Sequence, residues 1–250
     1  MKKLMAANWK MYKTPQEAAL TAGELVKAVG TVPDDREVLV FPPFVGLAQV
    51  AQAFSGVAGF YCGAQNVYPA DEGAYTGEIS PGMIASTGAA WALTGHSERR
   101  SVLGESSAFV GQKTAFCLEK GLNVVLCIGE TLEEREGGQL EKVLRGQLSE
   151  GLSGVPAGIA PERLAIAYEP VWAIGTGKVA GTAEIAATHA VVRGMLRELL
   201  PAAADSMRIL YGGSVKPDNA AAIISLDNVD GVLVGGASLQ AESFSRIILA

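Results

Sequence analysis

Eight short apolar runs recur along the chain, at residues 4–7, 38–41, 60–64, 91–93, 124–128, 164–168, 209–211 and 231–234. Each is strand-sized, and most are rich in β-branched or aromatic residues. They are uniformly apolar rather than alternating, which predicts strands buried on both faces. Between them lie amphipathic stretches that carry helix signals. Thr14-Pro15-Gln16-Glu17 is a capping box with proline at the first helical position: the threonine hydroxyl and the glutamate carboxylate each satisfy an orphan backbone N–H. Ser80-Pro81 and Lys216-Pro217 read as similar starts. Gly121 follows a helical stretch ending at Lys120, where a left-handed residue is needed. Thr182 is expected to cap a long stretch running to Leu200, and Pro201 to stop it.

Eight strand–helix units in alternation predict a parallel sheet, and eight units can close it into a barrel without edge strands. The expected fold is therefore α/β, a (β/α)₈ barrel forming a single domain over residues 1–250. An open doubly wound sheet would carry a glycine-rich dinucleotide turn after its first strand, and Asn8-Trp9-Lys10-Met11 is nothing like one. The glycine-rich stretch 151–158 fits an exposed loop between the fifth helix and the sixth strand.

The 250 residues carry a formal net charge of −6 and no basic run, which argues against nucleic acid as a partner. A small anionic substrate stays open, because a local cluster of lysine and backbone N–H groups outweighs the global charge. Cys62, Cys117 and Cys127 have no metal-ligand spacing and read as buried residues in a reducing compartment. Asn8, Trp9 and Lys10 cut short the signal-like start, and no apolar stretch is long enough to span a bilayer. The expectation is a cytoplasmic enzyme with neither metal nor organic cofactor.

Catalytic residues of such barrels sit just after the C-terminal ends of strands. Lys10 follows strand one, where a fixed charge would bind phosphate or stabilise an oxyanion. Strand four ends in Gly95-His96-Ser97-Glu98-Arg99-Arg100. A short helix begun by Ser97-Glu98 would point its N-terminus at His96 and keep the imidazole neutral, able to donate to a carbonyl oxygen. His189, mid-helix, reads as structural. Glu169 emerges from the apolar strand six, and partial burial is expected to raise its pKa and make it a better base. Residues 170–178 open on Pro170, close on Gly175 and Gly177 and are apolar between, the composition of a hinged lid. Tyr211-Gly212-Gly213-Ser214 and Gly235-Gly236 follow the last two strands, where paired glycines admit an anion to backbone N–H groups.

These residues leave several chemistries open. An aldolase or synthase barrel would use Lys10 covalently, a glycosidase would pair Glu98 with Glu169, and a non-catalytic scaffold would use none of them.

The motifs narrow the choice. Asn8-Trp9-Lys10-Met11, Gly63-Ala64-Gln65-Asn66-Val67, the His96 segment, Tyr168-Glu169-Pro170-Val171-Trp172-Ala173-Ile174-Gly175-Thr176-Gly177, Tyr211-Gly212-Gly213-Ser214-Val215 and the Gly231–Val234 run with Gly235-Gly236 resemble the triosephosphate isomerase family, in its order and over essentially the whole chain. The resemblance implies an aldose–ketose isomerase of glycolysis and gluconeogenesis that interconverts dihydroxyacetone phosphate and D-glyceraldehyde 3-phosphate. It implies Glu169 as the base, His96 as the electrophile, and Lys10 and Asn8 as substrate-holding residues. Backbone N–H groups near Gly175, Ser214, Gly235 and Gly236 would bind phosphate. The pairing of a glutamate base with a neutral histidine in this family is a worked example of pKa tuning. The resemblance further implies a homodimer, formed through the loop from Gln65 to Ile79, with Thr76 near its tip. Tyr12 and Thr94 depart from the family's commoner pattern, at positions expected to affect packing near the first and fourth loops.

Overall fold

The computed structural model describes residues 1–173 and 180–250. Eight parallel strands close into a barrel in sequence order: β1 Lys3–Asn8, β2 Arg36–Phe41, β3 Phe60–Ala64, β4 Trp91–Thr94, β5 Asn123–Ile128, β6 Leu164–Tyr168, β7 Arg208–Tyr211 and β8 Gly231–Val234. The helices are α1 Pro15–Val29, α2 Leu47–Phe54, α3 Pro81–Ser86, α4 Ser97–Ser101, α5 Ser107–Glu119, α6 Leu132–Glu136, α7 Leu140–Gly151, α8 Thr182–Leu199, α9 Ala220–Ile224 and α10 Ala241–Ile248. The fold is the expected single-domain (β/α)₈ barrel. Among the described residues, no helix is long and apolar enough to cross a membrane.

Two apolar cores explain the uniformly apolar strands. Leu4, Ala6, Leu39, Phe41, Trp91, Leu93, Val125, Cys127, Ala165, Ala167, Leu210 and Leu233 pack together inside the barrel. The intervening strand residues, such as Met5, Val38, Val124 and Ile166, pack outward against the helices. The buried apolar residues of each strand thus find apolar partners on whichever face they point to.

Four strands begin earlier than their apolar runs, at Lys3, Arg36, Asn123 and Arg208. These polar starts lie at the N-terminal end of the barrel, where tertiary partners satisfy them. Lys3 Nζ donates to the carbonyls of Ile224 and Val229 at 2.7 and 2.8 Å. Arg208 is buried, pairs with Glu37 at 2.6 Å and lies over the Trp91 ring.

Most helix signals act as expected. Thr14 and Glu17 form the reciprocal capping box of α1, and the Ser80 hydroxyl accepts from the Met83 N–H at the start of α3. Gly121 takes φ of 89° just beyond α5. Three readings need correction. Gly181, not Thr182, caps α8: Thr182 is already helical, and the Glu184 carboxylate reaches back to the Gly181 N–H at 2.9 Å. Pro217 opens only a turn, and α9 starts at Ala220. Gly151 is the buried last residue of α7, set against Leu126, so the loop starts one residue later.

Candidate active site

The inward alternation of the strands, carried one step past each strand end, selects the residues of the site. Leu4 and Ala6 face the barrel axis, and Asn8 is next in phase; Ala165 and Ala167 are followed by Glu169; Leu210 is followed by Gly212 and Leu233 by Gly235. These positions converge at the C-terminal mouth because all eight strands are parallel. A cavity of about 510 Å³ opens there, lined among others by Asn8, Lys10, His96, Glu169, Ser214, Gly235 and Gly236. Of the expected site residues only Gly175 lies outside the described residues, as does the part of the expected 170–178 lid from Ile174 to Lys178.

Lys10 adopts φ of 50°, unusual for a residue with a Cβ. Two side chains hold that conformation. Asn8 Oδ1 accepts the Lys10 backbone N–H at 2.9 Å, while Gln65 Nε2 donates to the carbonyls of Lys10 and Phe41, each at 2.9 Å. The ammonium meets Glu98 at 2.5 Å. A Cβ on Gly235 would lie 3.2 Å from Lys10 Cε, so the lysine stem runs beside the glycine pair after β8.

His96 owes its position to Gly95, whose φ of 69° turns the chain sharply out of β4. A side chain at Gly95 would also meet the Arg100 guanidinium at 2.7 Å and the Cys127 carbonyl at 3.0 Å. After the turn His96 caps α4, and its Nδ1 accepts the Glu98 N–H at 3.2 Å. Its Nε2 points at Glu169 Oε1, 3.0 Å away. The other carboxylate oxygen accepts the Ser97 N–H at 2.9 Å. Gly212 makes room for this arrangement, since a Cβ there would stand 2.8 Å from Glu169 Cγ.

The electrostatics of the pair differ from the sequence expectation. Glu169 is wholly rather than partly buried. Burial pushes its pKa up, but His96, the Ser97 N–H and Lys10 outweigh that and hold it below the ordinary carboxylate value. For His96, burial pushes down, whereas the neighbouring Glu169 carboxylate and then Glu98 pull harder, so its pKa stands above the ordinary histidine value. The helix N-terminus does reach the ring as expected; the nearer carboxylate overrides it while the two side chains are in contact.

The start of the segment after Glu169 is anchored by a residue the sequence reading passed over. Glu130 is fully buried, and one of its carboxylate oxygens gathers Tyr168 Oη at 3.0 Å, Trp172 Nε1 at 2.8 Å and Arg135 at 3.0 Å. Its backbone carbonyl accepts the Val171 N–H at 3.2 Å. Gln65 and Glu98 were likewise not assigned to Lys10. A polar residue at an inward position just past a strand is the signal that would have found Gln65. Glu98 reaches Lys10 across 88 positions of sequence and left no local signal.

His189 and the three cysteines are buried, as expected. His189 is buried and bonded to the Asn228 carbonyl at 2.9 Å, with its pKa pushed down to about 4 by burial. Cys62, Cys117 and Cys127 are free and buried, and burial raises their pKa values, to about 12 for the first two. Thr94 is buried, and its hydroxyl meets that of Thr114 at 2.9 Å, so α5 compensates the departure. Tyr12 is exposed at the cavity rim. Among the described residues, no group of three or more His, Cys, Asp or Glu side chains is placed to hold a metal ion.

Comparison with known proteins places the chain in a family. The sequence model of the family described as triosephosphate isomerase matches residues 3–250. A triosephosphate isomerase of Nitratidesulfovibrio vulgaris (strain Miyazaki F) is 63% identical over 251 aligned positions, covering the whole of both chains. One from Lawsonia intracellularis is 47% identical, covering 100% of this chain and 98% of its own. One from Chloroflexus aurantiacus is also 47% identical, covering 98% of this chain and 97% of its own.

Proposed function

The chain belongs to the triosephosphate isomerase family and is an isomerase, and we propose that it interconverts dihydroxyacetone phosphate and D-glyceraldehyde 3-phosphate with Glu169 as base, His96 as electrophile and Lys10 as the charge stabiliser. The observation that carries this reading is the enclosed contact of Glu169 with His96, 3.0 Å apart, in a cavity that Lys10 and the glycine pair after β8 also line.

The chemistry follows from the charges. Glu169 takes a proton from the carbon beside the carbonyl, the C–H electron pair becomes the C=C bond, and negative charge develops on the carbonyl oxygen. Lys10 and the His96 Nε2–H stabilise that enediolate. His96 passes protons between the two oxygens, and Glu169 returns its proton to the neighbouring carbon. To reach the substrate and free the Nε2–H for its oxygen, the Glu169 carboxylate must leave His96 Nε2. Once it leaves, His96 loses the charge that raised its pKa. Burial and the N–H donated to Nδ1 then favour the neutral ring. Asn8 acts chiefly by shaping the Lys10 turn. Backbone N–H groups of Ser214, Gly235 and Gly236 hold the phosphate; the further expected donor, near Gly175, lies outside the described residues.

The decisive experiment mixes purified protein with glyceraldehyde 3-phosphate in chelator-containing buffer and follows dihydroxyacetone phosphate through a coupled dehydrogenase. Rapid turnover is expected. No turnover from folded protein would sink the reading.

The homodimer belongs to the same proposal. Residues 71–78 are all exposed, and their loop is closed at its base by the Tyr68 N–H on the Ile79 carbonyl and braced by the tilted contact of the Tyr68 and Tyr75 rings. Exposed Met11, Val45, Met83, Val102 and Leu103 follow strands β1 to β4, so the connections after four neighbouring strands carry exposed apolar side chains. The buried, free cysteines suit the cytoplasmic location expected from sequence.

A further inference from the structure

Gly129 directly follows β5, and its neighbours continue the ladder towards β6. The Glu169 N–H donates to the Ile128 carbonyl at 2.8 Å, and the Val171 N–H donates to the Glu130 carbonyl at 3.2 Å. In a parallel ladder the backbone groups of successive residues point to opposite sides, so those of Gly129 face away from β6. On that side β4 has already ended, because the chain turned off at Gly95. The side chain of Gln147, from α7, takes the place of the absent strand. Its Oε1 accepts the Gly129 N–H at 2.8 Å, and its Nε2 donates to the Gly129 carbonyl at 3.0 Å.

Gly129 presses directly on the residue that carries the reaction. A Cβ at position 129 would lie 1.8 Å from the Glu169 carbonyl oxygen. The two peptides are therefore in close contact, and the position of one fixes the position of the other. Packing holds the pair on the Glu169 side only. A cavity of about 190 Å³ lies beside Gly129 and Glu169, with Gln147, Ser97, Arg100 and Thr131 among its lining residues. A peptide next to open space depends on its hydrogen bonds for its placement.

We propose that Gln147 is a positioning residue for the base: its carboxamide clamps Gly129 on both backbone groups and thereby fixes the backbone of Glu169 against the reacting carbon. The inference rests on Glu169 being the base. Gln147 touches neither the substrate cavity nor the phosphate-binding glycines, so its loss should act on turnover and spare binding.

Two variants test this, Gln147→Leu and Gln147→Glu, assayed for isomerisation beside the unaltered protein across a range of pH. Leucine removes both hydrogen bonds while keeping bulk. Glutamate keeps the shape and the acceptor for the Gly129 N–H, but it can donate to the Gly129 carbonyl only when protonated. A misplacement of the base by about 1 Å costs roughly 100-fold, so kcat is expected to fall by about ten- to a hundredfold, with KM within about twofold of its original value. Relative to the unaltered protein at each pH, Gln147→Glu should regain activity as pH falls, while the Gln147→Leu ratio stays flat. A folded variant with unchanged kcat, or a loss expressed in KM alone, would overturn the proposal. If Gln147→Leu does not fold, the pH ratio of Gln147→Glu decides: a flat ratio refutes the clamp. Absence of activity in the unaltered protein would instead refute the isomerase reading, so the two failures are distinct.

Discussion

Glu169 shows how a carboxylate stays ionised inside a protein. Desolvation opposes its charge, but a histidine at 3.0 Å, a backbone N–H at 2.9 Å and the nearby Lys10 reverse the balance. The sign has a kinetic consequence. A base must be unprotonated, and kcat/KM follows the groups of the free enzyme. The acid limb of kcat/KM assigned to Glu169 should therefore lie below the ordinary glutamate value of 4.5. In His96→Gln, which removes the charge partner, that limb should move to higher pH. A pH profile of both proteins checks this, and an unmoved limb would contradict the assignment. Glu169→Ala should lower kcat by about 10²–10⁴-fold without loss of the folded state seen by circular dichroism. Near-normal turnover would remove Glu169 from the mechanism.

At the scale of elements, strand ends and helix starts cooperate to aim side chains. β4 ends at Thr94, Gly95 turns, and His96 serves both as the cap of α4 and as a site residue. Behind that turn, the β4–α5 contact is fixed by a hydroxyl pair. Thr114 Oγ1 donates to the Val110 carbonyl at 2.9 Å, which leaves Thr94 as the donor to Thr114. The direction predicts an asymmetry. Thr94→Val leaves no donor stranded and should change stability by less than about 1 kcal/mol, whereas Thr114→Val strands the buried Thr94 hydroxyl and should cost about 1–3 kcal/mol. The double variant should recover most of that loss. Urea unfolding of the three variants provides the check; equal losses for the two single changes would contradict the assigned direction, and a larger loss for Thr94→Val would reverse it.

For the whole molecule, the closed parallel barrel does two things at once. It buries most of both faces of its strands, and it brings eight strand ends to one mouth. The exposed loop 71–78 and the exposed apolar residues after β1 to β4 are what the proposed dimer would cover. The expected outcome is a dimer by sedimentation velocity, with activity that falls on dilution to concentrations where the dimer separates. A monomer fully active at nanomolar concentration would contradict it.

The eight apolar runs, the capping box at Thr14 and the positive-φ glycine at 121 were legible from the chain because they report local physics: strand burial, orphan N–H groups and backbone sterics. The family motifs likewise named Lys10, His96 and Glu169 as candidates. The polar strand starts at Lys3, Arg36 and Arg208 were hidden, since an apolar scan stops at charges whose partners lie in distant elements. The pKa direction of Glu169 was hidden for the same reason. Burial is foreseeable from an apolar strand, but the histidine, the Ser97 N–H and the lysine that outweigh it arrive from β4 and β1 only when the barrel closes. Local pattern along the chain is enough to say which elements form and which chemical groups stand at their ends. Tertiary structure decided which groups touch, and with that their charge states, because electrostatic and hydrogen-bond energies depend on distances of a few ångströms that no local pattern sets.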